Sequence, residues 1–244
     1  MEQQDWFAHW FNTAYYHTLY GHRDETEAHE FLAALCAKLQ LNSGAAVIDI
    51  ACGNGRHSRA LHALGLAVTG IDLSSESIGI AISKGPDSIH YHTQDMRDAL
   101  PAGPYQAAFN LFTSFGYFDD PADDLRALQQ IRAVLQPGGI FIQDYLNGLP
   151  LLSQLPMKET VEKATLQFRI HKYYREPFIY KEIEVIDGTE THAFREQVRI
   201  FKPETLAALH AQAGFRVREI LGDYHLNAFE PDTSPRIILI SEVC

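Results

Sequence analysis

The residues of this chain best suited to chemistry are two aspartates, Asp49 and Asp72, on either side of a turn that carries Gly53 and Gly55. The stretch Val47-Ile48-Asp49-Ile50-Ala51-Cys52-Gly53-Asn54-Gly55-Arg56-His57-Ser58 reads as an apolar strand, a tight turn and the start of a helix. β-Branched residues suit a buried strand, and the glycines permit the turn while letting a ligand approach the backbone without a Cβ in the way. After a helical stretch whose Leu61, Leu64 and Leu66 lie on or near one face comes a second apolar strand, Ala67-Val68-Thr69-Gly70-Ile71-Asp72-Leu73. Asp72 stands 19 positions after Gly53. At roughly 20, an acid in a strand–helix–strand unit accepts hydrogen bonds from ribose hydroxyls. These positions predict a site for a nucleotide-like ligand. Asp49, just before the turn, orders its amides or reaches an amino group of the ligand through water.

A dinucleotide site requires G-x-G-x-x-G, but here Ser58 stands three after Gly55 and Ala51 two before Gly53. The run D-x-A-x-G-x-G instead resembles the first motif of the class I S-adenosylmethionine-dependent methyltransferases. Three later segments are similar to that family in the same order. Thr93-Gln94-Asp95-Met96-Arg97 resembles the segment after the third strand that meets the adenine. Asn110-Leu111-Phe112-Thr113-Ser114-Phe115-Gly116-Tyr117 resembles the fourth-strand motif, and Leu135-Gln136-Pro137-Gly138-Gly139-Ile140 the turn before strand five. The resemblance covers most of the chain. It implies an α/β, Rossmann-like, doubly wound fold with a seven-stranded mostly parallel sheet, S-adenosyl-L-methionine as cofactor and S-adenosyl-L-homocysteine as product. It also implies cofactor-binding roles for Asp49, Ala51, Gly53, Gly55, Asp72, Leu73, Asp95, Met96, Arg97 and Phe112. Two positions depart from the pattern: Ala51 replaces a glycine, which a strand end tolerates, and Asn110 replaces an acid, which removes a candidate general base.

Near the N-terminus, Trp6, Phe7, Trp10, Phe11, Ala14 and Tyr15 fall at helical spacing and predict one aromatic-rich face. The stripe continues through Tyr16 and Tyr20 to Asp24, too polar and too aromatic for ordinary core, and Asp24 begins a second helix with Glu27 in capping-box register. This segment resembles the N-terminal lid of a methyltransferase subgroup that includes amino-sugar N-methyltransferases. The resemblance implies that Tyr16 and Tyr20 reach the cofactor and that Arg23 holds its methionine carboxylate, to which a guanidinium offers two parallel hydrogen bonds.

Strands alternate with helices as far as Tyr145, the rhythm of a parallel sheet covered on both faces. Between Asp144 and Lys202 the period changes to two. Leu166, Phe168 and Ile170, then Ile179, Ile183 and Val185, then Phe194, Val198 and Ile200 alternate with polar residues, separated by turn signals at Glu176-Pro177 and Asp187-Gly188. A small inserted antiparallel sheet is expected there, placed where it could roof the substrate. A helix over 203–213 and strands over 215–224 and 236–242 follow. The chain thus reads as one methyltransferase domain, 1–244, with a helical lid over 1–40, a cofactor-binding core over 41–148, an insertion over 149–202 and the end of the core fold over 203–244.

Methyl transfer from a sulfonium is an in-line displacement, so alignment and exclusion of water matter more than proton transfer, and positioning alone contributes on the order of 7–11 kcal/mol. Tyr15, Tyr16, Tyr20, Phe112, Phe115, Tyr117 and Phe118 are candidates to line a site for a cation, with packing as the alternative for the phenylalanines. The candidate catalytic residues are Tyr16, Tyr117, His171 and His225. His90 and His92 alternate on one strand face but lack a third ligand at a recognisable spacing, so no metal is predicted. His57, at the start of a helix, is read as a capping or packing residue.

The 244 residues suffice for one good core. The net charge of −11, with no basic run to offset it, opposes a nucleic-acid partner. No stretch reaches the roughly 18 apolar residues of a membrane span, and Met1-Glu2-Gln3-Gln4-Asp5 lacks the basic start of a signal peptide, so a cytoplasmic protein is expected. Cys36, Cys52 and Cys244 show no C-x-x-C spacing. The leading reading is methyl transfer to a small-molecule acceptor at nitrogen. A protein or tRNA methyltransferase and a non-catalytic cofactor-binding partner subunit are the alternatives.

Overall fold

The computed structural model describes residues 5–21 and 25–244. In chain order the elements are α1 (Trp6–Trp10), α2 (Ala14–Tyr20), α3 (Glu25–Lys38), β1 (Ala46–Ile50), α4 (Arg56–Ala63), β2 (Ala67–Asp72), α5 (Ser75–Lys84), β3 (His90–Thr93), β4 (Tyr105–Asn110), α6 (Pro121–Val134) and β5 (Leu135–Leu146). There follow α7 (Leu149–Leu152), β6 (Met157–Lys163), β7 (Leu166–Arg175), β8 (Phe178–Asp187), β9 (Glu190–Arg199), α8 (Pro203–Gln212), β10 (Phe215–Leu221) and β11 (Arg236–Val243). The described residues form two compact units, one from 25–147 and 201–244, the other from 5–21 and 148–200. No helix among the described residues is long and apolar enough to cross a membrane.

The larger unit holds the expected seven-stranded sheet, in the order β10-β11-β5-β4-β1-β2-β3. All neighbours run parallel except β11, which is antiparallel to both β5 and β10. Its central strands are apolar on both faces because helices cover both. On one face Phe31, Leu32 and Leu35 of α3 and Ala60 and Leu61 of α4 meet Val47, Val68, Ala107, Phe109, Ile140 and Ile142. Phe141, between the last two, points the other way. There it stacks on His210 of α8 at 5.2 Å. The turn expected before strand five lies inside β5 as a register shift: Tyr105 pairs with Leu135, yet Ala107 pairs with Ile140.

In the smaller unit the inserted sheet has four antiparallel strands in the order β6-β7-β8-β9, one more than the three runs identified by alternation. The additional strand, Met157-Lys158-Glu159-Thr160-Val161-Glu162-Lys163, is partly exposed along its length and carries too few apolar residues to register as a strand. Both predicted hairpins close where expected, with Arg175 opposite Phe178 and Asp187 opposite Glu190. The single aromatic helix expected from Trp6 is two helices: the Thr13 side chain accepts the Tyr16 amide and restarts the chain as α2. Their aromatic residues are also less unusual than the sequence suggests. Trp10 and Leu19 are buried with Phe168, Ile170, Ile183 and Val185 of the sheet, and the Trp10 indole donates to Glu196 at 2.7 Å.

Candidate active site

The centre of the site is the turn between β1 and α4 in the larger unit. Ala51, Gly53 and Gly55 all have left-handed backbones, with φ of 58°, 55° and 76°. Glycine adopts these freely, while Ala51 bears a cost on the order of 1 kcal/mol. Asp72, at the end of β2, holds this turn through its carboxylate. The Gly53 amide donates to Oδ2 and the Ser74 amide to Oδ1, each at 2.8 Å. Each oxygen retains a lone pair for another donor, such as a hydroxyl. Burial raises the Asp72 pKa above the ordinary carboxylate value, against the lowering effect of those two amides.

The two glycines do different work. A Cβ on Gly53 would meet nothing within 4 Å, so that residue leaves open space beside the Asp72 carboxylate. A Cβ on Gly55 would stand 2.5 Å from the Tyr91 hydroxyl. The missing side chain of Gly55 makes room for Tyr91 of β3. Asp49 takes a backbone amide just beyond the turn, that of Ser58. It is buried and accepts the Ser58 hydroxyl at 2.6 Å, which ties β1 to the first turn of α4. Burial pushes its carboxyl up to about 7, with Ser58 and Arg56 pulling down and Asp72 pushing up.

The segment after β3 is joined to the same place, since the Gln94 amide donates to the Asp72 carbonyl at 2.9 Å. Asp95 accepts Arg97 Nη2 at 2.8 Å and the Arg97 amide at 2.8 Å, and Arg97 also reaches Asp123 at 2.9 Å. Burial alone would raise the Asp95 pKa, but the bonds from Arg97 outweigh it and the net shift is downward. Arg97 stands over the Phe118 ring at 4.7 Å. Leu73 and Met96 flank these acids, half-buried.

At the end of β4, Asn110 is fully buried and its amide donates to the carbonyls of Ile50 at 3.2 Å and Ser114 at 3.0 Å. The residue that replaces an acid thus cross-links β1 to the following loop. In that loop Phe112 and Thr113 are both left-handed, and the Phe112 amide donates to Asp144 Oδ2 of β5 at 2.8 Å. The Tyr117 hydroxyl donates to the Thr113 carbonyl at 2.5 Å. Phe112 lies within cation–π reach of Arg56 at 5.4 Å and Arg236 at 5.8 Å, while Phe115 and Phe118 are buried.

Asp49, Ala51, Gly53, Gly55, Asp72 and Asp95 are thus brought together through their own hydrogen bonds and those of their immediate neighbours. Tyr16, Tyr20 and His171 belong to the smaller unit. There the Tyr20 hydroxyl donates to Glu196 at 2.7 Å, Tyr16 packs on Trp10 and Phe11, and His171 lies 3.7 Å from Glu182. His225 is exposed, in a loop organised by Asp223. Arg23 lies outside the described residues, as does Asp24. His57 is in the first turn of α4 with its ring beside the Arg56 guanidinium. Sequence reasoning missed Asp144, Arg236 and Tyr224. Arg236 donates to Asp144 at 2.7 Å and the Tyr224 hydroxyl donates to it at 3.0 Å.

Residues 41–196 match the family model described as methyltransferase domain. The chain belongs to the methyltransferase domain family. A 116-residue stretch of this methyltransferase domain is 32% identical to a Streptomyces fradiae protein named dTDP-3-amino-3,6-dideoxy-alpha-D-glucopyranose N,N-dimethyltransferase, covering 47% of this chain and 45% of that one. A Xanthomonas campestris ubiquinone biosynthesis O-methyltransferase is 31% identical over 110 residues, 44% and 45% of the two chains. The chain spans about half the length of the curated relatives it matches. Its fold is that of an S-adenosylmethionine-dependent methyltransferase from Clostridium acetobutylicum, at TM-score 0.79 and 18% identity over 97% of both chains. A sugar N-methyltransferase from Streptoalloteichus sp has the same fold, at TM-score 0.73 and 20% identity over 95% of this chain and 93% of that one.

Proposed function

We propose that this chain transfers a methyl group from S-adenosylmethionine to an amine of a small-molecule acceptor. The observation that carries the reading is the Asp72 carboxylate beside the Gly53 turn, with both oxygens fixed by backbone amides and open space next to Gly53. A pair of ribose hydroxyls fits those remaining lone pairs. Bound there, the cofactor supplies an electrophilic methyl on a sulfonium. The residues of the chain hold and align: Asp72 takes the ribose, Asp95 and Met96 flank the adenine, and Phe112 and Tyr117 border the reacting end.

Nitrogen is favoured because Asn110 is an amide committed to two carbonyls, so no carboxylate at that strand end takes a proton. A neutral amine needs no such base, whereas a hydroxyl needs one within hydrogen-bond reach. The amino-sugar acceptor in the name of the Streptomyces fradiae relative supports the same class. The charge of −11 weighs against tRNA as acceptor. Tyr16, Tyr20 and Arg23 enter this proposal as cofactor residues through the resemblance of the N-terminal segment, and cofactor affinity of Arg23→Ala checks the arginine. The unpaired Cys36, Cys52 and Cys244 suit a reducing, cytoplasmic compartment.

Calorimetry with S-adenosylmethionine, S-adenosylhomocysteine and NAD tests the cofactor, and only the first two are expected to bind. Release of S-adenosylhomocysteine is then measured with amino sugars, their hydroxyl analogues, peptides and tRNA. Turnover with amines alone is expected. Turnover confined to hydroxyl analogues would replace nitrogen by oxygen, and binding without turnover on any acceptor class would favour a partner-subunit role.

A further inference from the structure

Two consecutive non-glycine residues in the left-handed region, Phe112 at φ 62° and Thr113 at φ 63°, are the least ordinary backbone feature of the larger unit. L side chains rarely adopt this region, and such a pair persists only where its surroundings over-determine it. The surroundings are specific. The Phe112 amide donates to Asp144 Oδ2 at 2.8 Å, the Thr113 amide donates to the Asp144 carbonyl at 3.0 Å, and Arg236 Nη2 donates to the Thr113 hydroxyl at 2.9 Å. Arg236 Nε in turn donates to Asp144 Oδ1 at 2.7 Å, and the Tyr224 hydroxyl donates to Oδ2 at 3.0 Å.

Asp144 is 1% exposed and the Arg236 side chain 14%. A buried ion pair is a poor way to gain stability, because desolvation offsets most of its attraction, and its better-attested use is to specify one arrangement. Here the arrangement specified is a loop. Its two left-handed residues set the Phe112 ring within 5.4 Å of the Arg56 guanidinium and 5.8 Å of that of Arg236, and the Thr113 carbonyl receives the Tyr117 hydroxyl. One carboxylate and one guanidinium therefore fix both aromatic residues that border the reacting end.

We propose that Asp144 and Arg236 are positioning residues that lock Phe112-Thr113 in its left-handed form and so present Phe112 and Tyr117 to cofactor and acceptor. The proposal rests on the reading of Phe112 as a cofactor-contacting residue. Asp144 does its work through the backbone of the neighbouring loop.

The test uses the full chain and calorimetry of S-adenosylhomocysteine. Thr113→Val removes the hydroxyl at nearly constant shape and is expected to weaken binding three- to tenfold, while Thr113→Ser, which retains the hydroxyl, stays within twofold of the parent. Asp144→Asn is expected to weaken binding at least tenfold. Adding Thr113→Gly to Asp144→Asn is expected to recover at least threefold, because glycine takes positive φ without assistance. A merely structural ion pair would lower the melting temperature, leave affinity alone and gain nothing from the glycine, and that pattern overturns the proposal. Should Asp144→Asn not fold, the contrast between Thr113→Val and Thr113→Ser decides alone. Phe112→Ala separates the two layers of the argument. Unchanged affinity in that variant refutes the role of Phe112 itself; a large loss there beside normal Thr113→Val and Asp144→Asn refutes only the positioning role.

Discussion

Replacing Asp72 with Ala separates the two tasks assigned to this carboxylate. Without ligand, the Gly53 and Ser74 amides lose the acceptor they now reach at 2.8 Å. Hydrogen bonds to a charged group are worth about 1.5–3 kcal/mol each, and some of that loss is recovered by solvent in a half-buried turn. A loss of about 2–3 kcal/mol is expected, which for a domain of this size lowers the melting temperature by roughly 4–12 °C. With ligand, the ribose bonds are lost too, and one charge-assisted contact of about 1.5–3 kcal/mol corresponds to roughly 10–150-fold in affinity. Calorimetry of S-adenosylhomocysteine and thermal melting measure these quantities independently. Because the Asp72 pKa is raised by burial, protonation competes with ribose binding from a higher pH than for an ordinary carboxylate. Affinity should therefore fall as the solution is acidified, and in Asp72→Asn that dependence should flatten. A folded Asp72→Ala protein with unchanged affinity would refute the ribose assignment, and an unchanged melting temperature would refute the role in holding the turn.

Asp49, with its carboxyl pushed up to about 7 from 3.8, binds a proton more tightly folded than unfolded. Its contribution to stability is complete below the unfolded value and lost as pH rises through about 7, a difference of about 4 kcal/mol. Denaturant titrations should therefore show Asp49→Asn gaining on the parent at pH 8 relative to pH 4.5, and the opposite order would contradict the burial argument. His210 has the reverse sign: its ring bonds Ser241 and Gln143 at 2.8 Å each, and burial lowers its pKa from 6.5 to about 4. The stability it contributes is present above 6.5 and disappears as pH falls toward 4, about 3 kcal/mol in all. His210→Gln should lose less stability than the parent between pH 7 and pH 4.5 in the same titrations. Trp10→Ala should cost about 3–5 kcal/mol in the smaller unit, read as faster amide exchange in β7 and β8; unchanged exchange there would mean that the helices contribute little to that sheet.

What was legible in the sequence was local. The Gly53 turn and Asp72 belong to one strand–helix–strand unit, so their spacing alone placed them together, and the hairpins at Glu176-Pro177 and Asp187-Gly188 announced themselves by turn chemistry. The strand Met157–Lys163 was not legible because its alternation is carried mainly by charged side chains. The break between α1 and α2 had a signal, Thr13, hidden inside a persuasive aromatic stripe. Tyr91 under Gly55 had none, since a missing side chain does not say what fills its place. The same holds for Asp144, whose partners Tyr224 and Arg236 lie 80 and 92 positions away. Only the closure of β11 against β5 brings Arg236 to Asp144.

The order in which the smaller unit is assembled from the chain has a consequence for its birth on the ribosome. Trp10 emerges early, yet its partner Glu196 is encoded 186 positions later. At about 5–20 residues per second, roughly 10–40 s pass between the two. Until β7 and β8 have been made, Trp10 and Leu19 have no Phe168, Ile170, Ile183 or Val185 to cover them, while the segment 25–147 of the larger unit is already available to collapse. The nascent chain thus carries an aromatic patch open to a chaperone or to a neighbouring nascent chain until β7 and β8 have been made, and Trp10 gains its Glu196 partner only with β9.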